Sequence, residues 1–334
     1  MRRKPLKPLA RFALACAAGL TSVCTAFQSP AYASQADFLS RPVNMILPFP
    51  AGSTSDTIAR ILQTKLTEKL GVSVVVENKP GASGDIAFSL VARSEPDGHT
   101  LLLTPDAIVV NPILKGKGVE EVFDKLRPVT VVAEAPLAFI LSPALPTNNF
   151  QDFVAYAKAR PNELNFGSSG VGSIPYLSAA YFMQLTGTQM VHVPYRGAAQ
   201  SMNAAFTDEI QFFLGDVSRY IAFQDRLKAL AVTGPQRDPR LPDVPTLAES
   251  TGNPQATFGL WLTAFLPKDT PAELVQRWND EISAVMASPD FQELMKTNGY
   301  SSTVRTPAET EKFIRDGYDF WHKIVVDGKL TFEP

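Results

Sequence analysis

Two short segments carry the residue types needed to hold an anion without a cationic side chain. The first is Pro48-Phe49-Pro50-Ala51-Gly52-Ser53-Thr54-Ser55-Asp56, between an apolar run (Val43 to Leu47) and an amphipathic helix. The second, Gly167-Ser168-Ser169-Gly170-Val171-Gly172-Ser173, also lies between a predicted strand and a predicted helix. Each places small hydroxyl side chains and flexible backbone at a helix N-terminus, where unpaired N–H groups and the helix dipole favour negative charge. A single such segment is more often only a helix cap. Two of the same chemistry, one in each half of the chain, point to a pair of jaws on a small carboxylate or phosphate. Asp56 need not repel that anion: it can accept bonds from backbone N–H groups or waters that shape the loop, or read a ligand ammonium. Phe49 is placed either to pack on a ligand's carbon skeleton or to join the core.

Catalytic patterns are poor by comparison. Ser169 lies two after Gly167, but position 171 is valine, and Ser83 is followed two later by Asp85, so G-x-S-x-G does not occur. The three histidines, His99, His192 and His322, lack metal-ligand spacing. His99 follows a Pro-Asp-Gly turn and reads as structural or solvent-facing, and His322 reads as a surface residue. His192, just before the Pro194-Tyr195-Arg196-Gly197 loop, is a candidate for the cleft. There is no phosphate-binding Walker loop and no dinucleotide fingerprint; Gly116-x-Gly118 is an isolated basic loop. The expectation is a protein with no catalysis, no cofactor and no metal.

The elements that must position the two segments alternate almost throughout. Thr57 to Leu70 sets Ile58, Ile61, Leu62, Leu66 and Leu70 on one helical face and stops at Gly71. Val72 to Glu77 is β-branched, the Pro80-Gly81-Ala82-Ser83-Gly84 turn opens a helix over 86–93, and Thr100 to Leu103 is a strand. This order predicts a parallel sheet with right-handed crossovers. The extended run Val129 to Leu141 is broken at Glu134-Ala135-Pro136 and reads as a first crossing between lobes. A second set follows, with helices over 150–159, 175–185 and 198–206 and strands over 164–166, 190–193, 210–214 and 227–233. The proline-rich stretch Gly234 to Pro254 leads back through Gly259 to Leu266. Thr270-Pro271-Ala272-Glu273 and Thr306-Pro307-Ala308-Glu309 both read as capping boxes with proline at the first helical position. The expectation is an α/β chain of two lobes, 34–138 plus 262–334 and 139–261, with parallel-rich sheets flanked by helices. The ligand cleft would lie between them at the strands' carboxyl ends.

The first residues read as an export signal over 1–33: Arg2, Arg3, Lys4, Lys7 and Arg11, then an apolar stretch, then Ala31-Tyr32-Ala33. That apolar stretch is shorter than the ~20 residues that span a bilayer. Arg2-Arg3 leaves both the general and the twin-arginine route open. Cys16 and Cys24 both fall inside the signal, so thiol and disulfide chemistry are not expected afterwards. The chain has 31 Lys and Arg against 33 Asp and Glu; five of those bases and no acid lie in 1–33, which moves the formal charge from −2 to about −7 without them. An acidic protein of this kind is a poor nucleic-acid partner, and an anion must be met by local donors.

From Arg41-Pro42-Val43 to Trp321 the chain resembles the periplasmic receptors of tripartite tricarboxylate transporters, also called the Bug family. The resemblance rests on Pro48 to Gly52 with Asp56 and Ala59-Arg60, Val74 to Ala82, Ala92-Arg93 with Pro96-Asp97-Gly98, and Asn111-Pro112. It continues through Gly167-Ser168, Gly172-Ser173, His192 to Gly197, Ala229 to Thr233 and Leu241 to Thr246. It implies a type II-like periplasmic binding protein fold, a monomer that closes on a small carboxylate and delivers it to an integral membrane permease. The implied ligand loops are Gly52–Asp56 and Ser168–Ser173, with Ala82, Ser83 and Gly84 beside them. Arg196 would meet a second, distal carboxylate or pair at the surface, and Tyr195 and Asp216 would line the far end. Three departures stand out: Ser53 in place of the second glycine of a Gly-Gly pair, Gly118 to Glu121 after Asn111-Pro112, and Thr207-Asp208-Glu209. The alternative reading is an extracytoplasmic carboxylate sensor feeding a membrane two-component system.

Overall fold

The computed structural model describes residues 39–328. The predicted signal segment, its cleavage site and both cysteines lie outside them.

Two five-stranded sheets organise the chain. The first is built by β1 (Val43–Leu47), β2 (Val74–Asn78) and β3 (Thr100–Pro105), joined by α1 (Thr54–Leu70) and α2 (Asp85–Ala92). Its strand order is β2-β1-β3-β10-β4, with β1 parallel to both neighbours, Val43 opposite Val74 and Asn44 opposite Thr100. The antiparallel strand is β10 (Leu260–Pro267), inserted between β3 and β4 (Leu126–Ala135). The second sheet repeats the plan in the order β7-β6-β8-β5-β9. Here β6 (Asn165–Ser168) runs parallel to β7 (Val191–Pro194) and β8 (Phe212–Asp216), and β5 (Leu137–Leu141) runs antiparallel to β8 and β9 (Lys228–Val232). Each lobe therefore has its parallel strands ending at one edge and one strand borrowed by a crossing.

The crossings follow from the chain's chemistry. Pro136 separates β4 from β5, since it cannot donate to a continuing ladder. The return strand passes so close that a Cβ on Gly259 would stand 2.6 Å from the Ala135 carbonyl oxygen, a contact only glycine permits. Thr233 joins the two passages: its N–H donates to the Leu137 carbonyl, and its hydroxyl accepts from the Leu137 N–H, both at 2.9 Å.

Helix α1 starts earlier than its apolar periodicity indicated, because Ser53 caps it and Gly71, in the left-handed region, ends it. Its inner face buries Ile58, Ala59, Leu62 and Leu66. Helix α6 (Ile174–Thr186) is capped by Ser173, and with α5 (Phe150–Lys158) it covers an aromatic core of Phe139, Phe153, Phe182 and Phe212. Helix α12 (Pro307–Asp327) packs Phe320 on Tyr181 of α6.

Two expectations need correction. The Thr306 capping box forms, with Glu309 bonding back to the Thr306 N–H. The Thr270 box does not: α10 (Ala272–Met286) begins one residue later, and the Thr270 hydroxyl is buried without a partner while its N–H turns back to Pro267. The second concerns residues 107–123, where the sequence indicated only Asn111-Pro112 and a basic loop. They form α3 (Ala107–Leu114) and the single turn α4 (Glu120–Phe123). Pro112 is tolerated near the end of α3, where the Pro112 carbonyl accepts from the Lys115 and Lys117 N–H groups.

Candidate functional site

The parallel strands of both lobes end in the segments singled out by the sequence. After β1, Gly52 takes a positive φ of 80° and brings the chain round so that Ser53 caps α1 through the Asp56 N–H at 3.3 Å. Asp56 faces inward and is only 4% exposed. It accepts from the Gly52 N–H at 3.0 Å, from Arg60 Nε and Nη2 at 2.9 and 3.0 Å, and from Asn78 Nδ2 at 3.0 Å. Asn78 also donates to the Phe49 carbonyl at 2.9 Å, and Phe49 itself is half-buried. Burial raises the pKa of Asp56, but the bonds from Arg60, Gly52 and Asn78 outweigh it and hold the carboxyl below its usual range. Asp56 is thus the brace of the first loop, with Ser53 and Thr54 left partly exposed at its tip.

After β2 the backbone is strained. Gly81, Ala82, Ser83 and Gly84 all have positive φ, at 127°, 48°, 53° and 99°. Two non-glycine residues there cost roughly 1–2 kcal/mol each. Strain of this kind clusters at ligand clamps. The turn is held by Asn111 of α3, whose Nδ2 donates to the Ser83 carbonyl at 2.8 Å.

The loop after β6 is braced differently. The Ser168 hydroxyl, in a residue only 1% exposed, lies 2.7 Å from His192 Nε2 and accepts from the Gly170 N–H at 3.1 Å. Ser173 caps α6 and donates to the Gly170 carbonyl at 2.7 Å. His192 sits between Phe166 and Tyr176, with ring centroids 5.0 and 4.8 Å away, and burial pushes its pKa down. A neutral imidazole therefore fixes a buried hydroxyl at the base of the loop. Ser169 is exposed at the loop tip.

The two lobes meet through these same segments. Thr54, at the start of α1, donates to Asp216 Oδ2 at the end of β8 over 2.8 Å. Ser218, two residues on, donates to the Asn298 carbonyl at 2.6 Å. Leu114, at the end of α3, lies where a Cβ on Gly172 would fall. Tyr300, partly buried beside Thr54 and Asp216, has its hydroxyl pushed up to about 12 by burial and by the Asp216 charge. The Nε of Arg219, 3.9 Å from Asp216 Oδ2, is buried and has no hydrogen-bond partner.

Of the residues chosen from the sequence, the interface gathers Thr54, Asp216 and Gly172 directly, and Gly52, Ser53, Ala82, Ser83 and Gly84 sit on the same edge of the first sheet. Tyr195 is turned elsewhere: its hydroxyl donates to Glu209 at 3.0 Å, and burial with that carboxylate raises its pKa to about 12. Arg196 is exposed, its backbone N–H bonded to Gln200. His99 is buried and His322 exposed. Arg219, Tyr300 and the buried Asp106 after β3 escaped notice. Asp106 had a signal, an acid at a strand's carboxyl end, whereas Tyr300 had none.

The model of the tripartite tricarboxylate transporter family receptor matches residues 58–330. The chain belongs to this receptor family. A relative encoded in the tcbD–tcbE intergenic region of Pseudomonas sp. (strain P51) is 31% identical over 88% of each chain. The periplasmic binding protein BugD superposes with a TM-score of 0.78 at 30% identity, over 88% of this receptor and 100% of that one. The R. palustris protein Rpa4515, solved with adipate, superposes with a TM-score of 0.79 at 28% identity, over 88% and 99% of the two chains. The receptor's two-lobed fold is that of these periplasmic binding proteins. Among its described residues no helix is long and apolar enough to cross a membrane.

Proposed function

We propose that the receptor captures a small carboxylate between its lobes and hands it, chemically unchanged, to a membrane permease. The observation that carries this reading is the bond across the lobes from Thr54, at the first serine-rich helix start, to Asp216 at the carboxyl end of β8, the strand beside β6 from which the second serine-rich loop springs. The ligand loops are Gly52–Asp56, Ala82–Gly84 and Ser168–Ser173, and the lobes are 34–138 plus 262–334 and 139–261, hinged at Pro136 and at residues 233–259. Adipate bound to the relative Rpa4515 supports a carboxylate as the ligand class. Export to the periplasm, with cleavage near Ala33, places the receptor where a permease can meet it.

The magnitudes are sufficient. A helix N-terminus contributes ~0.3–1 kcal/mol at an exposed site and up to ~2 when partly buried. Two of them plus several hydrogen bonds in a closed cleft reach micromolar affinity, about −8 kcal/mol. The test is a thermal-shift panel of mono-, di- and tricarboxylates on protein stripped of ligand by unfolding and refolding, followed by mass spectrometry of whatever co-purifies. Stabilisation by at least one acid, recovered unaltered, is the expected outcome. No response from any acid, or a chemically converted one, overturns the reading.

A further inference from the structure

Asp106 is a buried acid at the carboxyl edge of the first sheet whose Oδ2 the surrounding loops leave without a partner. It follows β3, and because β1, β2 and β3 are parallel it shares an edge with the Gly52 loop and the strained Ala82–Gly84 turn. The helix that starts beside it, α3, touches both sides of the cleft: Asn111 holds the Ser83 carbonyl, and Leu114 abuts Gly172 of the opposite lobe. Asp106 is only 2% exposed, and its Oδ2 has no hydrogen-bond partner in the protein. It makes no capping bond to α3, and its carboxyl receives only the backbone N–H groups of Asp106 and Ala107, which leave Oδ2 free. A buried acceptor left in this way carries the full desolvation penalty, which a donor brought by a ligand would remove.

We infer that Asp106 reads a hydrogen-bond donor on the ligand, a hydroxyl or amino group on its carbon chain, so that the receptor's preferred ligands are substituted small carboxylates rather than plain aliphatic acids. This rests on the receptor reading above. The serine-rich loops grip a carboxylate that all such acids share, and they cannot tell a substituted chain from a bare one. An acceptor set apart from those loops can, because a site built to bond a hydroxyl rejects the analogue lacking it. Burial drives the Asp106 carboxyl well above its ordinary range, toward the neutral form. A ligand hydroxyl or ammonium donating to Oδ2 favours the ionised carboxylate there and offsets the cost that burial imposes.

The test is calorimetry on refolded, ligand-free receptor with matched pairs: lactate against propionate, malate against succinate, and aspartate against succinate. In the wild type, at least one substituted acid binds about tenfold or more tightly than its parent. Asp106→Ala removes that margin while leaving the parent acid's affinity in place, and Asp106→Asn, which keeps a carbonyl acceptor, preserves it for the hydroxy acids. Equal affinity within every pair in the wild type, or an undiminished margin in Asp106→Ala, overturns the inference while leaving carboxylate capture standing. Absence of binding by every acid overturns both. The thermal midpoint of ligand-free Asp106→Ala matches or exceeds the wild type. A lowered midpoint that Asp106→Asn restores would make Asp106 a structural cap and would also defeat the inference.

Discussion

The two jaws look alike in sequence and are braced by opposite means. In the first, a buried carboxylate, Asp56, is held ionised by a two-pronged Arg60 and gathers the Gly52 and Asn78 donors around itself. In the second, the brace is neutral: Ser168 is fixed by an imidazole packed between Phe166 and Tyr176. The difference teaches that a helix start can be preorganised for an anion in two ways. A charge can do it if its own field is consumed by partners behind the loop, and a packed dipole can do it without any charge. Positioning by Asp56 costs the first jaw little repulsion toward the ligand, since Arg60 neutralises it.

The largest break should come from the charged brace. Asp56→Ala leaves the Gly52 N–H and Asn78 without their acceptor and is expected to lower unfolding stability by about 2–3 kcal/mol, the scale of hydrogen bonds to a charged group. Ser168→Ala in the other jaw removes neutral bonds only and should cost about 1 kcal/mol. Urea unfolding of the two variants side by side checks this; equal losses would erase the distinction between the braces.

Next in size is Gly172→Ala, which acts on closure. Its φ of 78° is strained for alanine, at a cost of roughly 1–2 kcal/mol, and the new Cβ would press on Leu114 across the cleft. Carboxylate affinity should fall about tenfold. Small-angle scattering with saturating ligand should show a less compact receptor than the wild type; an unchanged profile and affinity would mean that the contact does not limit closure.

The smallest effect separates the jaws by pH. Burial lowers the folded pKa of His192 beneath its ordinary 6.5, so the unfolded chain takes up this proton first. The second jaw therefore starts to lose stability as pH falls below about 6.5. Asp56 is also depressed, from an ordinary 3.8, so its contribution is intact above that value and is lost only as pH drops further, toward the folded value. Thermal midpoints between pH 7 and 5 should fall in the wild type and fall less in His192→Gln. The same decline in both would assign that window to other groups.

Much of this is legible in the sequence alone. Ser53 and Ser173 cap the helices they precede, Gly71 ends α1, Pro136 divides the crossing strand, and the Thr306 box closes on Glu309. Such features are encoded within a few residues, because a cap, a turn or an apolar stripe is satisfied by near neighbours. The Thr270 box failed because a competing turn to Pro267 claimed its N–H, and α3 was missed because Pro112 masks a short helix that only its packing stabilises.

What the sequence by itself determined is thus the pair of loops, the alternating elements that carry them and the two crossings. Only the tertiary structure decided how the loops are braced and how the lobes meet. Thr54 and Asp216 are 162 residues apart, and Tyr300 reaches them from a third segment. No local pattern records such a meeting. It arises when two separately built sheets bring their carboxyl edges together, and the burial of Asp106 with an oxygen to spare is likewise visible only in the folded chain.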